Sequence, residues 1–256
     1  MKTIDSGSVQ VAIKNGIATI EFYHPASNSL PGNLLAKLAA SIEDSGKNAA
    51  IRVIVLKSAG DRTFCAGASF DELVSISNEL EGSHFFSGFA KLVSAMRKCP
   101  KLIIGRIQGK AVGGGVGIAA ATDISYATNH AMVKLSELSI GIGPFVVGPI
   151  VQRKMGLPAF SQLTLEATKW QSADWAKRNG LYADVFENIS KLDGAVQELS
   201  TTLARSNPEA MSMLKKIFWE GTDHWDLLMQ DRAKMSGKLV LSEFTSDAIK
   251  QFKKQH

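Results

Sequence analysis

Apolar and polar residues alternate from Val9 to Lys14 and again over Ile17–Phe22, with Asn15-Gly16 between them. That dipeptide is a strong two-residue hairpin signal, so the chain is predicted to open as a pair of antiparallel strands. Pro25 to Asn28 breaks the pattern, and a helix is expected from about Pro31, with Leu34, Leu35, Leu38, Ala39 and Ile42 on one stripe and Gly46 as its stop. Arg52–Leu56 and Leu102–Ile107 are short continuous apolar runs, the pattern of strands buried on both faces. Between them lie a turn at Gly60-Asp61-Arg62, a helix from Ser69 through Leu73 and a longer one over Phe85–Met96. Gly113-Gly114-Gly115 then opens a helix of small residues, followed by a strand over Ile124–Ala127. This alternation predicts an α/β core around a largely parallel sheet.

The character changes after about residue 190. Asn207-Pro208-Glu209 reads as a helix start, with Met211, Leu214 and Phe218 at helical spacing before Gly221. Helical stretches over Trp225–Lys238 and Thr245–Lys254 follow. Two regions are expected: a core over 1–190 and a helical region over 191–256. No internal repeat or low-complexity linker interrupts the chain.

At 256 residues with 45% hydrophobic and 21% charged residues, the chain can fill a substantial core, which excludes disorder. Two cysteines, Cys65 and Cys99, cannot form a disulfide framework and fit a reducing, cytoplasmic setting. The longest uncharged stretch, Leu138–Gln152, holds three glycines and two prolines. It falls short of the roughly 18–20 apolar residues a spanning helix needs. The opening Met1-Lys2-Thr3-Ile4-Asp5 leads into no apolar signal segment. A net charge of +5 raises the question of nucleic acid. The basic residues are scattered pairs, however (Lys98 with Lys101, Arg153-Lys154, Lys215-Lys216, Lys253-Lys254), and no aromatic interleaves with them as a stacking platform. A modest positive field suits a small phosphate-bearing substrate equally well.

Familiar chemical motifs fail. There is no P-loop, no G-x-G-x-x-G and no G-x-S-x-G elbow, and the five histidines lack metal-ligand spacing, so no metal site is expected. Cys65 reads as a small core thiol. What remains is two glycine-containing turns that each open a helix, Phe64–Asp71 and Gly109–Gly117. A helix start leaves N–H groups unpaired and favours a nearby anion. Two such turns, if they converge, would offer two donors to one oxygen, as in an oxyanion hole. Taken singly, each turn is better explained by close helix–sheet packing.

Their downstream context changes that balance. Thr122-Asp123-Ile124 and Leu135-Ser136-Glu137-Leu138-Ser139-Ile140-Gly141-Ile142-Gly143-Pro144 follow in order. His24-Pro25-Ala26-Ser27-Asn28-Ser29-Leu30 precedes the turns, and Gln171–Ala176, Gly180-Leu181 and the Asn207-Pro208 helix come after them. This order resembles the crotonase (enoyl-CoA hydratase/isomerase) superfamily over most of the chain. The resemblance implies a crotonase-like ββα spiral core with a helical C-terminal trimerisation region. It also implies an acyl-CoA thioester substrate whose CoA is part of the substrate, with no separate cofactor, and a homotrimer or dimer of trimers. The N–H groups of Ala68 and Gly114 would hold the thioester oxygen as an enolate forms, and Glu137 would be the acid/base. Ala66 and Phe70 would flank the coenzyme, and Gly113, Gly117 and Pro144 would line the substrate. C-terminal Lys253 or Lys254 could reach a coenzyme phosphate.

One departure from the family pattern stands out. Its hydratases place two glutamates across the substrate, and the first of those positions is Gly117 here. The resemblance therefore leaves hydration, a single-glutamate double-bond shift and a 3-hydroxy-3-methylglutaryl-type dehydration open. A non-catalytic CoA- or RNA-binding relative is the alternative of a different class.

Overall fold

The computed structural model describes residues 6–255, and side chains as far as Gln251. Strands β1 (Ser8–Lys14) and β2 (Ile17–Tyr23) form the expected hairpin, with Asn15 and Gly16 both at positive φ in the turn. Helix α1 (Gly32–Lys47) follows and buries the stripe Leu34, Leu35, Leu38, Ala39 and Ile42. Strands β3 (Val53–Ser58), β5 (Leu102–Ile107), β7 (Ile124–Thr128) and β9 (Asp184–Phe186) then extend the sheet in the order β1-β2-β3-β5-β7-β9. Every pairing beyond the first hairpin is parallel.

A second sheet lies outside what periodicity could show. It joins β4 (Thr63–Cys65), β6 (Lys110–Val112) and β8 (Val133–Lys134), all parallel. Each is the immediate continuation of a large-sheet strand: β3 runs on to β4, β5 to β6 and β7 to β8. Helices α2 (Phe70–Leu73) and α3 (Glu79–Lys98) follow β4, and α4 (Gly114–Ala121) follows β6. A single 3-10 turn (Glu137–Ile140) and α5 (Gly148–Leu165) follow β8. This repeat of two strands and a helix is the ββα spiral the resemblance implied. Its consequence is local: three loops leave the C-terminal ends of three adjacent short strands side by side.

The large sheet is buried on both faces. Ile54, Leu56, Ile103 and Ile107 join the main core with α1 and α3. Val53, Val55, Leu102 and Ile104 pack against Leu192 and Val196 of α7 (Ile189–Ala204) and Met211 of α8 (Pro208–Phe218). Short α6 (Ala173–Arg178) precedes β9. Helix α9 (Trp225–Leu239) crosses α3 at Gly82 and Gly237, where a Cβ on Gly82 would lie 2.7 Å from the facing Cα. Helix α10 (Glu243–Gln255) lays Phe244 and Thr245 against Gly141, just past the 3-10 turn. No described helix is long and apolar enough to cross a membrane.

A buried ion pair fastens the later helices to this core. The Asp123 carboxylate accepts from the Ile103 N–H at 2.7 Å, from Lys215 Nζ at 2.8 Å and from Trp219 Nε1 at 3.2 Å. Both charged side chains are almost wholly buried, at 3% and 4% exposure. Removing one partner strands the other charge away from water. Asp123→Ala is therefore expected to cost about 3–5 kcal/mol of stability, measured by urea unfolding.

Candidate active site

The first turn begins where β4 ends. The Ala66 N–H donates to the Ser27 carbonyl at 3.2 Å, and Gly67 takes a φ of +89°. Leu30 then brackets Ala68: its N–H donates to the Gly67 carbonyl at 2.8 Å, and its own carbonyl accepts from the Ser69 N–H at 3.3 Å. The Ala68 N–H between those bonds has no acceptor among the described residues. Ser69 caps α2 through its hydroxyl, which accepts from the Glu72 N–H.

The second turn begins where β6 ends. Gly113 sits at φ +52°, ψ −117°, a conformation open to glycine, and its N–H donates to the Lys134 carbonyl at 2.9 Å. Gly114 is the first residue of α4, and its N–H also has no acceptor among the described residues. The two turns touch. A Cβ on Gly67 would lie 2.9 Å from the Val112 carbonyl oxygen and 3.5 Å from the Gly114 nitrogen. The free Ala68 and Gly114 donors thus belong to neighbouring backbones. A Cβ on Gly114 would meet the Phe89 ring of α3 at 2.2 Å, so that aromatic face closes one side.

Glu137 arrives from the third strand. It heads the 3-10 turn, whose backbone is tied back by the Ile142 N–H donating to the Glu137 carbonyl at 3.0 Å. The residue as a whole is partly exposed, but Oε2 is buried without a hydrogen-bond partner. The carboxyl lies against the second turn, where a Cβ on Gly113 would be 2.8 Å from Oε1. Burial disfavours the charged form and pushes its pKa up to about 7, partly offset by its own backbone N–H. A carboxyl poised there can take or give a proton near neutral pH.

The remaining sequence candidates fall into two groups. Ala66 and Phe70 flank Ala68 and are both half-buried. Phe70 packs with Leu73, Ile140 and Ile142, which joins the first turn to the loop after Glu137. Pro144 is buried in that loop, with its carbonyl accepting from the Gly148 N–H at 2.8 Å. Gly117 lies deeper in α4 and is buried, and a Cβ there would meet Val147 Cγ1 at 2.5 Å. Burial drives the Cys65 thiol up to about 12, so it remains protonated. Lys253 and Lys254 have side chains outside the described residues. The contacts that Leu30, Phe89 and Val147 make with the two turns leave no mark in the sequence, because apolar core residues carry no chemical signature of their own.

Two unpaired amides beside one desolvated carboxyl form the kind of site that removes a proton next to a carbonyl. The family model described as enoyl-CoA hydratase/isomerase matches residues 12–252. The chain belongs to that family of enzymes. It is 24% identical over 247 residues to a probable enoyl-CoA hydratase of Bacillus subtilis (strain 168), covering 96% of this chain and 95% of that protein. It is 27% identical over 254 residues to the bacillaene synthase dehydratase PksH of the same organism, covering 98% and 93%. The solved enoyl-CoA hydratase of Bacillus halodurans shares the fold with a TM-score of 0.88 at 21% identity, covering 95% and 99%.

The raised Glu137 pKa has a consequence for stability. Between the ordinary carboxyl range and about pH 7, the folded protein holds a proton that the unfolded chain has released. Stability at this group therefore falls as pH rises across that window. Glu137→Gln removes the cost, so its melting temperature should exceed wild type at pH 8, with the gain vanishing near pH 4. Thermal scans at both pH values check this.

Proposed function

We propose that this enzyme forms an enolate from an acyl-CoA thioester, with Glu137 as its one acid/base and the Ala68 and Gly114 N–H groups holding the enolate oxygen. The observation that carries this reading is the buried, unpartnered Glu137 Oε2 against the Gly113-Gly114 turn. An α-proton of a thioester leaves readily only when the developing oxyanion is stabilised, and one lost donor in such a hole costs about 10²–10³ in rate.

The Gly117–Val147 contact narrows the reaction. Activating a water with a second carboxylate needs a side chain at the first glutamate position, and Val147 fills the space that even a Cβ would occupy. Glu137 therefore works alone. It takes the α-proton while the electron pair moves to the thioester oxygen. Returning that proton to the γ-carbon shifts the double bond. Delivering it to a departing β-hydroxyl releases water and restores the carboxylate. The similarity to a protein named as a dehydratase supports the second course. The substrate's own CoA is the only coenzyme this chemistry requires.

Enoyl- and 3-hydroxyacyl-CoA thioesters incubated in D₂O and followed by mass spectrometry separate the outcomes. A double-bond shift exchanges deuterium alone, and dehydration removes a water mass. Glu137→Gln should lower turnover by at least about 10²-fold. Because the carboxylate is the reacting form, wild-type kcat/KM should rise with pH through about 7. Near wild-type turnover in Glu137→Gln, or RNA binding that survives physiological salt with no turnover, would overturn the reading.

The proposal includes assembly as a trimer or dimer of trimers. Met211 of the expected stripe is buried within the chain. Met213, Leu214, Ile217 and Phe218 of α8 instead stand 44–58% exposed, a contiguous apolar face. Sedimentation velocity at micromolar concentration should show a species near three or six times 27.5 kDa, and a lone 27.5 kDa species would count against it.

A further inference from the structure

Arg232 is a partly buried cation that the proposed reaction leaves unused. It lies on α9 between buried Met229 and Ala233, half-buried, and its Nη1 donates to the Phe145 carbonyl at a long 3.3 Å. No carboxylate pairs with it among the described residues, and the neighbouring Asp231 is engaged with Lys234 at 2.9 Å. Burial alone lowers its pKa, with no opposing charge as a cause. A guanidinium offers five donors in a planar fork matched to a carboxylate, and here four of those donors have no described partner.

Its position relates it to the site. The segment from Glu137 to Gly148 begins at the proton-transfer carboxyl and ends against Arg232, where a Cβ on Gly148 would lie 3.3 Å from Nη1. Val147, next to Gly148, packs on Gly117 one helical turn in from the Gly113-Gly114 donors. On the proposed function, the α-carbon sits at Glu137 and the β-carbon faces the Gly117–Val147 contact. Beyond that contact, along the Val147–Gly148 backbone, lie the Phe145 carbonyl and Arg232.

Resting on that reading, we propose that Arg232 is a specificity residue that receives a carboxylate at the far end of the acyl group, so that the preferred substrates are thioesters of dicarboxylic acids. A terminal carboxylate would supply the acceptor pair that the guanidinium lacks. A methyl-ended chain would leave the cation partly desolvated and uncompensated.

The test compares two enoyl-CoA thioesters of equal chain length, one ending in carboxylate and one in methyl, with the full-length enzyme. Wild type should favour the carboxylate-ended thioester in kcat/KM. Arg232→Met should lose about 10- to 100-fold on it, the range for a hydrogen bond to a charged group, while the methyl-ended thioester changes little. Arg232→Lys should recover part of the loss, because it restores the charge without the fork. Circular dichroism and sedimentation accompany each variant. Equal losses on both thioesters, a loss tracking altered assembly, or no wild-type preference would overturn the assignment. Such a result leaves Glu137 in place if Glu137→Gln still abolishes turnover of the methyl-ended thioester. Absence of turnover and of α-deuterium exchange with both thioesters would overturn both readings.

Discussion

Two turns pressed backbone to backbone are the constraint on which the rest of this structure depends. Ala66–Ala68 lies against Val112–Gly115 so closely that a Cβ on Gly67 or Gly115 would strike the opposite main chain, at 2.9 Å from the Val112 oxygen and 2.4 Å from the Cys65 oxygen. Side chains between them would separate the Ala68 and Gly114 N–H groups. The contact exists because β4 and β6 are parallel neighbours, so their C-terminal ends finish at one level. The third neighbour, β8, sets Glu137 at that same level. The geometry of the candidate site is thus a property of strand order rather than of any long loop.

The protein treats its buried charges in two opposite ways. Asp123 is surrounded by three donors, one from β5 and two from α8 and its C-cap, and its charge fixes α8 to the sheet. Glu137 is left with a buried Oε2 that has no hydrogen-bond partner. Low dielectric makes a satisfied pair rigid and an unsatisfied carboxyl reactive, since the same desolvation that costs stability moves its pKa toward neutrality. Satisfying Glu137 with a permanent donor would stabilise the fold and lower its basicity.

The C-terminal helices serve the site from outside it. Helix α9 meets α3 through a glycine–glycine crossing, and α3 carries the Phe89 ring that seats on Gly114. Helix α10 rests on Gly141 and adds Ile249 to the cluster with Leu73 and Ile142, next to Phe70 and Ile140. These contacts hold the loop after Glu137 between apolar layers.

The hairpin, the first helix, the doubly buried strands and the glycine-led helix could be read from the sequence, because each is fixed by local periodicity or a local turn residue. Ala68, Gly114 and Glu137 could be named as candidates as well, through a motif order that resembles a known family. The small sheet could not, since strands of two or three residues leave no period to detect. Nor could the sequence show that Gly117 faces a wall of Val147, that Phe89 backs Gly114, or that Arg232 stands beside Gly148. Those are contacts between residues far apart in the chain. Chain entropy is spent to bring them together, and only the packed tertiary structure decides which side chain fills which space.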